Sequence, residues 1–146
     1  MDYRTFVAVG LSLVVGCSDP VTPQSLEGTY VASSFVLSGG ATEDVLAVGG
    51  SLTITFHAGG TTFTFNAQGG TTSGTLFVPA ASSASGGMDF TADMAGTFTL
   101  ENNSITLTQV ADSFVRDLIW TVGPANYISG FGTFSGVTIA VVLSRQ

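Results

Sequence analysis

Apolar and polar residues alternate with a period of two along most of the chain, which predicts short β-strands. In SLTITFH (51–57), Leu52, Ile54 and Phe56 share one face, and the residues between them are Ser and Thr. Only ATEDVLAV (41–48) fits a turn of helix instead. The predicted strands are 28–37, 51–57, 61–66, 74–79, 96–100, 105–110, 115–122, 126–134 and 136–145.

The segments between these strands are short and rich in turn residues. Between 96–100 and 105–110 stands ENNS (101–104), and asparagine tolerates the positive φ that a tight hairpin turn requires. Short connections favour antiparallel neighbours, and closing the resulting sheet removes its edges. We therefore predict an all-β fold, an antiparallel up-and-down meander closed into an eight- or nine-stranded barrel. A β-sandwich is the alternative, because it shows the same periodicity. PAASSASGGMD (79–89) predicts a mobile loop.

The composition agrees with this fold and excludes one class of partner. The 146 residues suffice for one domain, and 20 threonines, 19 glycines and 11 phenylalanines favour strands and turns. The chain has no lysine, and its net charge is −7. Such a charge repels the phosphates of nucleic acids. We therefore expect no nucleic-acid partner.

The first residues predict a targeting segment. Residues 6–16 form an uncharged, mostly apolar run. As a helix this run would span about 17 Å, too short for a hydrocarbon core of about 30 Å, so a signal peptide fits better than a transmembrane helix. A buried strand, or a plain signal with an incidental thiol, are the alternatives.

The end of this run, Val14-Val15-Gly16-Cys17, resembles the bacterial lipobox. In precursors that carry a lipobox, cleavage precedes the cysteine, and that cysteine is acylated. The resemblance implies a signal peptide over 1–16, a lipidated Cys17 with a flexible tether over 17–27, and one barrel-like domain over 28–146. It also implies an exported bacterial lipoprotein with the lipid bilayer as a partner. Ser18 differs from the Asp that retains enterobacterial lipoproteins in the inner membrane, which favours the outer membrane.

The strand pattern also resembles the lipocalin-like barrels that bacteria export as small lipoproteins. Gly28-Thr29-Tyr30 opens the first strand as Gly-x-Trp does in lipocalins, and Arg145 ends the last strand where lipocalins often place an arginine. The resemblance implies a structural role for Gly28, Tyr30 and Arg145. In it, the aromatic ring packs over the guanidinium and closes one end of the barrel. It further implies that 38–50 is a lid.

Catalytic and metal-binding patterns are absent from the sequence. His57 is the only histidine, and it lacks the neighbouring residues that a catalytic triad or a metal site needs. Asp89 and Asp93 lack the further oxygen ligands that calcium requires, and Arg116 is expected to pair with Asp117. We therefore expect no enzyme activity, no cofactor and no metal.

Six aromatic residues remain as candidates for an interior site. They either line a pocket for a small apolar ligand or fill the barrel, since an eight-stranded barrel is just wide enough for one or the other. The sequence thus leaves two functions open. One is a membrane-anchored, non-enzymatic lipocalin-like lipoprotein that binds a small apolar ligand. The other is an envelope structural or protein-interaction module with a filled core and an unknown protein partner. The six candidates are Phe56, Phe63, Phe65, Phe77, Phe98 and Trp120.

Overall fold

The computed structural model describes residues 25–59, 67–109, 111–124 and 127–146. Within them lie ten strands, one turn of α-helix and one turn of 3₁₀-helix at Ser83–Ser85. The strands are β1 Gly28–Ser38, β2 Thr42–Asp44, β3 Ser51–Ala58, β4 Ala67–Val78, β5 Phe90–Asp93, β6 Gly96–Glu101, β7 Ser104–Gln109, β8 Ile119–Val122, β9 Tyr127–Phe134 and β10 Val137–Arg145, and the helix is α1 Phe114–Asp117.

Eight of these strands form a closed antiparallel barrel. Their order around the barrel is β1-β3-β4-β6-β7-β8-β9-β10, and β10 pairs back onto β1. The closing pair runs from Tyr30 opposite Arg145 to Ser38 opposite Thr138. The predicted closed up-and-down barrel is therefore confirmed, and its sandwich alternative is wrong.

The other two strands extend the barrel wall. β2 pairs with the end of β1, and β5 pairs with the end of β4. β5 and β6 keep a single register on β4, with Thr75 opposite Asp93 and Thr72 opposite Gly96. The backbone N–H of Met94 still donates to the carbonyl of Gly74 at 3.0 Å. β5 and β6 thus pair with β4 one after the other, in a single continuous register. The sequence analysis did not predict β5.

A bulge in β1 changes which residues face the interior. Tyr30 is buried and Ala32 packs against the core, whereas further along it is Phe35 and Leu37 that are buried. The register on β10 shifts between Ala32 and Ser34, which leaves one extra residue in β1. An extra residue reverses the alternation of faces, because side chains point to opposite sides with a period of two.

Two predicted segments take a different form in the structure. In 115–122 the first part is the helical turn α1, and the strand β8 begins at Ile119. In 41–48 the predicted turn of helix is wrong, because Thr42–Asp44 pairs with β1 as a strand. In 41–48, pairing with the neighbouring strand β1, rather than the local pattern, decides the conformation.

The strand β4 begins earlier than predicted and contains two glycines that were expected to form a turn. Gly69 and Gly70 pair with β6, and Gly70 also pairs with Ala58 of β3. A Cβ atom at Gly70 would collide with the carbonyl oxygen of His57. Glycine is therefore needed here for a close approach of two backbones. The predicted strand 61–66 lies outside the described residues.

The predicted hairpin turn at ENNS is confirmed. Asn102 and Asn103 have φ values of 47° and 67°, as a tight primed turn between β6 and β7 requires. The turn between β9 and β10 has the same character, with φ values of 49° at Ser135 and 84° at Gly136.

The packed structure starts before the predicted Gly28. Leu26 is 2% exposed, and its backbone N–H donates to the Gln68 side chain at 3.1 Å. The boundary of the predicted tether 17–27 therefore needs correction, because an apolar residue at its end is buried in the core. The predicted signal peptide 1–16 and Cys17 lie outside the described residues.

Candidate functional site

The interior of the barrel contains three of the six aromatic candidates. Phe56, Phe98 and Trp120 are 2%, 3% and 1% exposed. They lie on β3, β6 and β8, at positions where the alternation of the strand points inward. The alternation in 51–57 predicted the face of Phe56, whereas Phe98 and Trp120 were named only as candidates for the interior.

Ring contacts connect the interior aromatics to one another. Phe56 meets Tyr30 edge to face at a centroid distance of 5.5 Å, and it meets Phe98 in the same way at 5.0 Å. Edge-to-face packing is a favourable geometry for aromatic rings. Tyr30, on β1, is itself 2% exposed, and burial raises the pKa of its hydroxyl while the charge of Arg145 partly opposes the shift. These rings fill the space between β1, β3 and β6.

Trp120 occupies a second part of the interior and is held at both ends of its side chain. Its indole N–H donates to the carbonyl of Val115 at 2.8 Å, which joins β8 to α1. Its ring lies against Gly130, directly opposite on β9, where a Cβ atom would be 2.6 Å from the ring. The glycine thus makes room for the indole, and both side-chain size and hydrogen bonding fix the ring.

Of the remaining three candidates, the structure describes only Phe77. Phe77 stands between the buried Leu76 and Val78 on β4, so it points to the outer wall, where it is partly exposed. Its prediction as a ligand-lining residue is therefore wrong. In the apolar run GTLFVP, either Phe77 or its neighbours Leu76 and Val78 could point inward, and in the structure it is Leu76 and Val78 that do. Phe63 and Phe65 lie outside the described residues.

One end of the barrel brings together the three residues of the lipocalin-like signature. Tyr30 and Arg145 are direct partners in the β1–β10 ladder. The Arg145 guanidinium donates to the carbonyl of Glu27 at 2.6 Å, and a Cβ atom at Gly28 would be 2.9 Å from its Nε atom. Gly28 thus makes room for the guanidinium. The expected stacking of the Tyr30 ring on the guanidinium stays a prediction. The ring contact that the structure shows for Tyr30 is the one with Phe56.

The opposite end of the barrel, which we call the loop end, is closed by connecting segments. It comprises the β1–β3 connection, the segment 79–89, α1 and the β9–β10 turn. Phe114 of α1 packs against Phe35 at a ring-centroid distance of 5.8 Å, and Val45 of the β1–β3 connection is fully buried. The sequence analysis missed both residues, because neither lies in a strand with clear alternation.

The segment 79–89 has a defined hydrogen-bonded structure, in contrast to the mobile loop that its composition predicts. Ser82 is 2% exposed, and the Asp89 carboxylate accepts from the backbone N–H of Ala80 at 2.8 Å. Glu43 of β2 accepts from the backbone N–H of Ser83 at 2.9 Å. Hydrogen bonds, first from the Ser82 hydroxyl and then from Ser83, hold the pKa of Glu43 below its usual value. One carboxylate thus ties the segment to the barrel.

The other acidic candidates have local partners. Asp93 accepts from the backbone N–H of Ala95 at 2.9 Å. Arg116 donates two hydrogen bonds to Asp117, as predicted, and a third to Asp112. The bonds from Arg116 hold the pKa of Asp117 below its usual value. In the part of the chain that the structure describes, no group of three His, Cys, Asp or Glu residues converges to hold a metal ion.

His57 lies near the end of β3, as the predicted strand 51–57 implies. Its Nε2 atom is 3.0 Å from the Ser73 hydroxyl on β4, and the pair is exposed on the outer wall. A shallow, polar groove of about 420 Å³ lies elsewhere on the outer wall, at the β6–β7 hairpin, and contains none of the candidate residues. It is lined by Thr99, Glu101, Asn102, Ser104 and Thr106.

Comparisons of the chain with protein-family models, curated proteins and solved structures find no match. The likeness to lipocalins and to the lipobox therefore stays a prediction from the residues quoted above. None of the helices within the described ranges has the length and apolar character that crossing a membrane would require.

Proposed function

We propose that this protein is a membrane-anchored, non-enzymatic barrel of the bacterial envelope, and that it acts through its outer wall as an interaction module. The observation that carries this proposal is the packed interior. Phe56, Phe98 and Trp120 are each at most 3% exposed, and each contacts other groups of the core. Large side chains that already fill a barrel leave its outer wall as the surface for recognition.

The proposed anchor is Cys17, with two or more acyl chains. A single acyl chain binds a membrane only marginally, whereas two hold a protein stably. The described chain enters the barrel at Leu26, beside Glu27 and Arg145. Residues 18–25 reach at most about 28 Å at roughly 3.5 Å per residue. The anchor would therefore hold the barrel near the membrane by this end, with the loop end directed away.

Metabolic labelling with radioactive palmitate tests the anchor. Cells that express the full chain should incorporate the label, and the Cys17→Ala variant should not. Asp19→Ala, which leaves the lipobox intact, is the matched control and should be labelled normally. Labelling that persists in Cys17→Ala would refute the lipoprotein proposal without affecting the barrel.

Binding of a small apolar ligand is the second candidate function. The closed eight-stranded barrel is compatible with a lipocalin-like fold, and two apolar side chains stand near its loop end, with Met88 at 73% and Phe90 at 39% exposure. Ligand sites of β-barrels commonly lie at the mouth of the barrel. The packed interior argues against this function.

Native mass spectrometry of the full chain, purified in mild detergent, distinguishes the two candidates. We expect the mass of the acylated protein alone, and the fluorescence of added Nile red should not exceed that of a blank containing the same detergent. A retained small molecule, or saturable binding of Nile red that Phe56→Leu weakens, would favour the ligand-binding function instead.

A further inference from the structure

An uninterrupted row of apolar side chains crosses four neighbouring strands on the outer wall. The strand register places Val36 opposite Ala140, Ala140 opposite Phe131, and Phe131 opposite Ile119. Side chains that stand directly opposite each other have Cβ atoms about 4.5–5.5 Å apart, so the row is about 15 Å long. We call these four residues the outer apolar strip.

The strip is exposed where it crosses β8 and β9. Ile119 is 69% and Phe131 is 54% exposed, while Val36 and Ala140 are partly covered. Single apolar residues on a surface are ordinary, whereas apolar residues that adjoin one another in a patch are typical of interaction sites. Ile119 and Phe131 are adjacent in this sense, because they stand directly opposite each other in the strand register. The opposite wall differs, because most outward positions of β3, β4 and β6 carry hydroxyl groups. Examples are Thr53, Thr55, Thr71, Thr97 and Thr99.

Carboxylates stand at both ends of the strip. At one end, Val36 is directly opposite Asp44 of β2, which is exposed. At the other end, the chain before Ile119 carries Asp117 and Asp112, with side chains 48% and 94% exposed. Arg116 lies between these two and is bonded to both. The charge at each end of the strip is therefore negative.

The negative charge at both ends of the strip determines which kinds of surface could bind there. A second copy would bring the same carboxylates against each other. The chain contains no lysine to oppose them, and Arg116 is already bonded to Asp112 and Asp117. An anionic membrane surface is repelled for the same reason. A surface with complementary potential is apolar in its centre and positive at its flanks.

We propose that the outer apolar strip docks a partner protein whose contacting segment is apolar in the middle and carries Lys or Arg at both ends. This inference rests on the proposed function, because it names the part of the outer wall that acts. Ile119 and Phe131 form the centre of the contact, and Asp44 and Asp117 set its orientation. Exposed charges at the rim of an interface mainly affect association and its dependence on salt.

Site-specific photocrosslinking in the native host tests this docking surface. The full-length chain carries benzoylphenylalanine in place of Phe131, and the crosslinked peptides of the partner are mapped by mass spectrometry. A matched control carries the same group in place of Thr71, which is exposed on the opposite wall. We expect a crosslink from position 131 to a peptide with an apolar centre flanked by Lys or Arg, and at least tenfold less from position 71.

Charge variants provide the second arm of the experiment. In the chain that carries the probe at position 131, Asp44→Asn should lower the crosslink yield several-fold at equal expression. Asp93→Asn, which is exposed but does not flank the strip, should not change the yield. Equal effects of the two variants would overturn the charge assignment.

The remaining outcomes separate this inference from the proposed function. A crosslink from position 131 to a second copy of the chain, to lipid, to an acidic segment, or to nothing overturns the docking proposal. If position 71 captures a defined partner while position 131 does not, the outer wall acts but the strip is the wrong part of it. If neither position captures a protein, the proposed interaction function fails as well.

Discussion

Phenylalanine has opposite roles on the two faces of this barrel wall. Phe98 on β6 points inward, is 3% exposed and contacts the ring of Phe56. Phe131 on β9 points outward, is 54% exposed and stands opposite Ile119. Both residues lie in strands with alternating character. The residue type therefore does not decide between core and surface, and the phase of the strand relative to the barrel does.

The comparison extends to glycine and threonine. Gly130 faces the interior and makes room for the Trp120 ring, whereas a side chain at Gly69 would meet nothing closer than 3.4 Å. Thr72 is 4% exposed and donates to a carbonyl, whereas the outward Thr99 is exposed. In each pair, the same substitution can be made once at the inward residue and once at the outward residue. The difference between the two losses of stability then measures how much the interior environment contributes.

The largest effect is expected for phenylalanine. Phe98→Ala should lower the free energy of unfolding by about 3–5 kcal/mol, because it removes buried apolar area and leaves a cavity. Phe131→Ala should change it by about 0.5 kcal/mol or less, because the ring is exposed. Urea unfolding of the two variants, followed by tryptophan fluorescence, measures both. Similar losses for the two variants would contradict the assignment of the faces.

A smaller effect is expected for glycine. Gly130→Ala should destabilise the protein by about 1–3 kcal/mol, because the added methyl overlaps the Trp120 ring and the packed core cannot easily move. Gly69→Ala, in β4, is the control and should be nearly neutral, because its added methyl would meet nothing closer than 3.4 Å. A change in the near-UV circular dichroism of Gly130→Ala alone would show that the indole has shifted. A neutral Gly130→Ala would mean that the ring is not held where the structure places it.

Replacing threonine by valine should lower the free energy of unfolding by about 1 kcal/mol on the interior face and leave it unchanged on the outer face. The Thr72 hydroxyl donates to the carbonyl of Met94 at 2.8 Å where β5 passes into β6. Thr72→Val keeps the shape but removes this buried hydrogen bond, a loss of about 0.5–1.5 kcal/mol. Thr99→Val removes only an exposed hydroxyl and should be neutral within error. Thermal unfolding of the two variants checks this difference, and equal midpoints would count against it.

The smallest effect concerns pH and the loop end. The pKa of Glu43 is lowered in the folded state, so its contribution to stability is present above the unfolded value of about 4.3. This contribution is lost as the pH falls through the lower folded pKa. Glu43→Gln should therefore unfold at slightly lower urea than the parent at pH 7 and at the same urea well below pH 3. Glu101→Gln, at the opposite end of the barrel, is the control. A difference that grows in acid would contradict this sign.

Local patterns were reliable where a strand has one buried face or a turn has a strict backbone requirement. The inward positions of Leu52, Ile54 and Phe56 followed directly from period-two alternation, and the structure confirms them as buried. The ENNS turn followed from the positive φ that asparagine accepts. Both features depend on a few consecutive residues, and distant parts of the chain do not alter them.

The predictions failed where a neighbouring segment decides the outcome. Phe77 was assigned inward because a short apolar run does not reveal its phase, and the pairing of β4 turned it outward. The segment 79–89 has the composition of a mobile loop, yet a carboxylate forty residues earlier, Glu43, binds its backbone. Gly69 and Gly70 were assigned to the connection between two predicted strands, whereas both lie within β4, and Gly70 allows two strands to approach closely.

The sequence by itself determined an all-β chain with alternating faces, its tight turns, its negative charge and the lipobox-like start. These properties depend on local composition and spacing. Only the tertiary structure decided that the sheet closes, because closure pairs β1 with β10 across the length of the domain. It also decided which aromatic rings fill the barrel and which stand on its wall, since one extra residue in a strand reverses every side chain after it.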